Sequence, residues 1–285
     1  MTSLALTFVL TSAILHAFWN LATKRVNGGA EAVWLFSTVS TAVYAPIALM
    51  IYLVERPYIG PLQLVFLAGS GVLQLVYFVM LSRGYRVGDL SVVYPLARGT
   101  GPLLATALAI IFLGERPAAL TFGGALLICL GVFLIAAGGR HSGHISSIAL
   151  IYGVGTGLVI GSYTVWDGHA VSALAIPAVL QAWTADAART LYLAPHAHQH
   201  WTGIRELWRL HRRDILTVGI LSSLSYMLVL TAMSFSPVSS IAPAREVSIL
   251  LGSIMGVMVL KEPLRPIRVL AAVIIVAGVI GVVLG

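Results

Sequence analysis

Two arginines, Arg98 in YPLARGTGP and Arg245 in PAREVS, stand inside apolar stretches where a charge needs a partner or water. A guanidinium holds carboxylate or phosphonate oxygens through two parallel N–H bonds, so the pair could converge on one anionic group. Equally, each arginine could cap carbonyls freed at a broken helix, or pair with an acid such as Glu246. Pro95, Gly99, Gly101 and Pro102 are expected to break or bend the segment that carries Arg98. Asp167 follows Trp166, just as Asn20 follows Trp19. A carboxylate there could accept an ammonium group or a proton, or be hydrated at a helix end. His16, one turn before Trp19 and Asn20, could shuttle protons or donate as a neutral ring to a neighbouring helix. Tyr77, Tyr94, Tyr163, Trp34 and Trp183 are candidate cavity aromatics or packing residues. Asp186 and Arg189, three apart, can meet on one helix face as an internal ion pair.

The elements that position these groups follow from composition. Hydrophobic residues make up 59% of the 285 residues and charged residues 9%, too few to cover a soluble domain, so the chain is an integral membrane protein. About 20 helical residues cross a bilayer core. Ten apolar spans fit that length: 3–23, 31–53, 61–82, 89–113, 118–138, 146–167, 171–194, 214–234, 237–260 and 264–284. Breaker clusters such as ERPYIGP, GERP and KEPLRP separate several of them. Glu115 and Glu262 sit where new helices begin and are read as favouring those N-termini. The first span has no basic residue before it and Lys24 and Arg25 after it, the reverse of a cleavable signal peptide.

A shift of 147 residues lays Trp19 on Trp166, Phe36 on Trp183, Arg98 on Arg245, Glu115 on Glu262 and Gly131 on Gly278. The chain is therefore a duplicated five-helix unit, with repeats at 1–140 and 146–285. Five is odd, so the second copy enters the membrane from the opposite side. The expected fold is all-α and polytopic, with ten transmembrane helices as two inverted repeats around a central cavity.

Charge sets the expected orientation. Twelve Lys or Arg residues fall in connectors on one side, against Arg56 and Arg116 on the other. The positive-inside rule places the twelve in the cytoplasm and both termini outside it. The net charge of +7 thus reads as orientation and lipid contact, and nucleic acid is not an expected partner. In PHAHQHWTGIRELWRLHRRD, Trp201, Ile204, Leu207 and Trp208 form one stripe suited to an interfacial helix. His196, His198 and His200 alternate in what reads as a loop without an acidic or cysteine ligand, so no metal site is expected. The lone Cys129 excludes an intrachain disulfide.

HAFWN at 16–20, YPLARG at 94–99, GERP at 114–117, YTVWDG at 163–168 and AREVS at 244–248 resemble the drug/metabolite transporter superfamily of the EamA type, over nearly the whole chain. They are also similar to a bacterial subgroup associated with phosphonate use. The resemblance implies alternating access in a cytoplasmic (inner) membrane. Its cargo would be a small polar or zwitterionic metabolite, such as an amino acid or an aminophosphonate. Efflux of amphipathic drugs or cations is the alternative. Many relatives keep their termini in the cytoplasm, against the charge count here. No Walker A, HExxH or GxSxG occurs, so neither ATP drive nor an enzyme is expected, and no cofactor is implied.

Overall fold

The computed structural model describes residues 1–26, 28–87, 90–137, 147–260 and 266–285. The repeat junction, together with Arg140, Lys261, Glu262 and Arg265, lies outside the described residues.

In lipid no water is available to the backbone, so each spanning segment must satisfy its own N–H and C=O groups. The described residues accordingly form helices and no strand. The first repeat holds α1 (Ser3–Val26), α2 (Ala30–Glu55), α3 (Pro61–Val87), α4 (Leu90–Phe112) and α5 (Ala119–Ala137). The second holds α6 (Ser147–Ser172), α7 (Ala178–Gln199), α8 (Trp201–Met233), α9 (Val238–Ala244), α10 (Val247–Leu260) and α11 (Pro266–Leu284). By length and composition, four described stretches can cross a membrane: α1, α2, Pro61–Gly84 of α3, and α8. Leu96–Phe112, Ala119–Ile135 and Val269–Leu284 are shorter apolar helical stretches.

Two of the breaker clusters, ERPYIGP and GERP, act where the sequence places them, and KEPLRP lies outside the described residues but for Pro266. Arg56 ends α2 with φ 46° and ψ 52°, and its N–H returns to the Tyr52 carbonyl. Gly114 of GERP takes φ +67°, a conformation that costs glycine least.

Three boundaries differ from expectation. α4 is one continuous helix through Pro95 and Pro102, whereas its repeat mate is interrupted at Arg245 and Glu246, between α9 and α10. The interfacial segment and the eighth span merge into α8, with non-helical φ −124° and ψ 21° at His211 marking the bend. Its expected stripe is divided: Ile204 is buried with Val26, Ala32 and Ile215, while Trp201 and Trp208 are exposed. α6 also continues to Ser172, so Asp167 is internal to a helix.

The two halves are repeats, and equivalent helices pack in equivalent ways. α1 packs on α8 as α6 packs on α3, α2 on α8 as α7 on α3, and α4 on α6 as α10 on α1. α2 meets its own mate α7, and α5 its mate α11. Glycines set that last seam. A Cβ on Gly124 would lie 2.5 Å from the Gly278 carbonyl oxygen, and one on Gly278 would lie 2.6 Å from that of Gly124. Where lipid tails supply no hydrophobic drive between helices, such close backbone approach provides the packing.

The outer surface is apolar, with Met50, Ile111, Phe112 and Val273 exposed, whereas Ser12, Gln74, Arg98, Asp167, Asp186 and Glu246 are buried. This inside-out distribution suits a bundle solvated by lipid, with its ionisable groups shielded within.

Candidate functional site

The break between α9 and α10 presents Arg245 and Glu246 to the face of α4 that carries Arg98. Glu246 Oε2 lies 3.5 Å from Arg98 Nη2, with both side chains buried. That contact is an ion pair in charge but long for a hydrogen bond. On its other side, Arg98 Nη2 is 3.3 Å from His16 Nε2 on α1. A guanidinium carries only donors, so His16 meets it with an unprotonated Nε2. The His16 ring in turn lies 4.4 Å from that of Trp19, whose buried indole N–H has no acceptor among the described residues.

Arg245, the repeat mate of Arg98, lies 5.7 Å from the centre of the Tyr226 ring on α8. The Tyr226 hydroxyl donates to Asp167 on α6. Asp167 is fully buried and also accepts from Gln74 on α3 at 3.3 Å and Gln181 on α7 at 2.9 Å. Burial leaves no place for the hydrated helix-end reading of this carboxylate. Four charges, Arg98, Arg245, Glu246 and Asp167, thus lie along one polar seam fed by both repeats, with a formal sum of zero. Tyr77 and Tyr226 stand edge-on to Tyr163, at 5.9 and 6.4 Å, and form an aromatic tier beside the seam.

Arg98, Arg245 and Glu246, with Pro102 and Thr164, enclose a cavity of about 10 Å³, about the size of one water molecule. A larger cleft of about 220 Å³ opens at the α8–α9 turn, beside Glu115, Phe235 and Val238. Glu115 is the one charged residue lining it, whereas Arg98, Arg245 and Glu246 all line the small cavity. Glu115 receives the Val238 and Ser239 N–H groups at 2.8 and 2.9 Å. It therefore caps α9, a helix of the other repeat, rather than its sequence neighbour α5. Glu262, its mate, lies outside the described residues.

Other expected site residues are placed differently. Trp166 stacks on Phe66 and donates to that residue's carbonyl, while Trp183 donates to the Thr41 carbonyl. Trp34 does the same to Thr190. These indoles tie helices together. Asn20 is half-buried on α1, and the side chain of Tyr94 on α4 lies outside the described residues. Asp186 and Arg189 do pair, within a separate cluster in which Ser40 and Ser223 donate to Asp186 between α2, α7 and α8.

Sequence reasoning missed Tyr226, Gln74 and Gln181. The two glutamines were visible as amides within apolar runs, VLQLVY and AVLQAW, where an unpaired polar group is costly.

The sequence model of the EamA-like transporter family matches residues 3–137 and, a second time, 147–284. One crystal structure of another protein superposes with a TM-score of 0.79 at 17% identity, covering 100% of this chain and 98% of that one. At that identity the likeness is one of fold. No curated protein matches the sequence.

Proposed function

The chain belongs to the EamA-like transporter family of membrane transporters, and from that premise we propose that it carries a small zwitterionic metabolite, of the amino acid or aminophosphonate kind, by alternating access through the Arg98–Asp167 seam. The observation that carries this reading is a charge-balanced set of groups between the repeats: Arg98, Arg245 and Glu246 line a small cavity, and the buried Asp167 is joined to them through Tyr226. A zwitterion adds no net charge to such a site, whereas a lone anion or cation leaves one charge uncompensated at low dielectric.

The exchange of partners follows from the geometry. Glu246 holds Arg98 at a distance longer than a hydrogen bond, so a substrate acid group with two well-placed oxygens outcompetes it. The displaced Glu246, or Asp167, then receives the substrate's ammonium. The indole N–H of Trp19, without an acceptor among the described residues, supplies a further donor. His16 and Asp167 are the groups that would carry a coupling proton. With a cavity of about 10 Å³, the seam is shut on itself and must open to load.

A thermal-shift screen of the purified protein tests the substrate class. A ligand at one hundred times its Kd adds about 2.7 kcal/mol to apparent stability. Amino acids or aminophosphonates should raise the melting temperature, and sugars should not. A shift from quaternary amines alone would favour the alternative, a cation held by Asp167 and the tyrosine tier.

Orientation is part of the same reading. We place the connectors bearing Lys24, Arg25 and Arg83 in the cytoplasm and both termini outside it. A reporter fused after Gly285 that works only outside the cytoplasm should therefore be active. Activity solely from a cytoplasmic reporter at that position would reverse the assignment.

A further inference from the structure

A second site lies at the face that carries Lys24 and Arg25, far in sequence from the charged seam. α7 continues to Gln199 with His200 as its C-terminal cap, so the histidines belong to a helix end rather than a loop. His196 and His200 are one helical turn apart, and their rings stack with centroids 4.1 Å apart and planes 27° apart. His198 is turned about 200° away around the helix and is exposed. The acidic ligand that the local sequence lacks comes from another repeat: Glu31, in the first turn of α2, places Oε1 3.3 Å from His196 Nε2. One donor atom from each of Glu31, His196 and His200 lies within 4.8 Å of the others.

We propose that Glu31, His196 and His200 bind one first-row transition cation of the Zn²⁺ class, bridging the start of α2 to the end of α7. Two imidazoles and one carboxylate form a borderline donor set with room for a water as fourth ligand, which suits zinc, cobalt or nickel better than calcium or magnesium. Donors about 2.0–2.1 Å from a tetrahedral zinc stand about 3.3 Å from one another. The Glu31–His196 pair already has that separation, and the exposed His200 side chain needs only to swing inward. The His200 tautomer is set for the role. Its Nδ1 lies 3.0 Å from the His196 carbonyl oxygen, which can only accept, so Nδ1 carries the proton and Nε2 keeps its lone pair for the metal. Beneath the site, Ala32 of α2 and Ala197 of α7 are buried in one apolar cluster with Ile204. This packed floor holds the two backbones in register, so the ligands need not be gathered from a flexible chain.

The test uses full-length protein without an affinity tag, reconstituted in nanodiscs and titrated with Zn²⁺ by calorimetry. One ion should bind per chain. Glu31→Gln, His196→Ala and His200→Ala should each weaken binding at least tenfold, and His198→Ala should leave it unchanged. Zn²⁺ should raise the melting temperature of the parent protein but not that of His200→Ala, whose exposed side chain is not needed for folding. Three results would each overturn the site: no saturable binding, binding indifferent to Glu31→Gln, or an equal loss on His198→Ala. The last would reveal a loose histidine cluster.

Discussion

Exchanging Arg98 for lysine is expected to weaken substrate binding by about tenfold to a hundredfold while the protein still folds. Lysine keeps the positive charge opposite Glu246, so the buried acid is not orphaned, but it loses the fork that grips two oxygens at once. Loss of one charge-assisted hydrogen bond costs about 1.5–3 kcal/mol, which sets the size of the effect. Arg98→Ala is a different experiment. It leaves Glu246 without its nearest cation and takes a donor from His16, and breaking a buried pair in this way costs about 3–5 kcal/mol of stability. Removing the acid as well, in Arg98→Ala with Glu246→Ala, should restore part of that stability without restoring binding. Ligand affinity and ligand-free melting temperature, measured on one preparation of each variant, separate the two roles. Lower stability with unchanged affinity in Arg98→Lys would make Arg98 a brace and end its assignment as a ligand.

Asp167 carries the second large effect. Asp167→Ala would leave the Tyr226 hydroxyl without its acceptor and take one bond each from the Gln74 and Gln181 amides, which keep Ser70 and the Phe66 carbonyl as partners. Each unsatisfied donor costs about 1–3 kcal/mol. Because the three share one acceptor the terms do not simply add, and because both amides keep a partner a total on the order of 2–4 kcal/mol is expected. Asp167→Asn keeps the shape and one acceptor oxygen, so it should fold at a smaller penalty of about 1–3 kcal/mol. It cannot carry a proton. In proteoliposomes loaded with substrate, Asp167→Asn should lose accumulation driven by a pH gradient while retaining substrate exchange. Full gradient-driven accumulation in Asp167→Asn would remove this carboxylate from the coupling mechanism and leave it a structural acceptor.

What the linear chain discloses is set by the bilayer. Helices must be long, apolar and self-satisfied in lipid, so the spans and their breakers are plain in the composition, and the 147-residue register carries Arg98 onto Arg245 without a gap. Intramembrane charges are just as visible, since each is costly and stands out against its neighbours. Partners are not visible. In a soluble helix an apolar stripe marks the buried face, whereas here the lipid face and the packed face are both apolar, so periodicity does not say which way a residue looks.

Hence the sequence by itself determined the membrane class, the duplication and which charges stand inside apolar spans. Only the tertiary structure decided that Asp167 is sealed among Tyr226, Gln74 and Gln181, and that Glu246 reaches Arg98 through a break in the second repeat rather than the first. It also decided that Glu115 caps α9 instead of α5, and that Glu31 comes to meet His196. Each of these contacts joins residues 14 to 165 positions apart in the chain. Their geometry depends on how glycine seams and polar pairs lock the bundle, a property of packing that no local spacing of residues encodes.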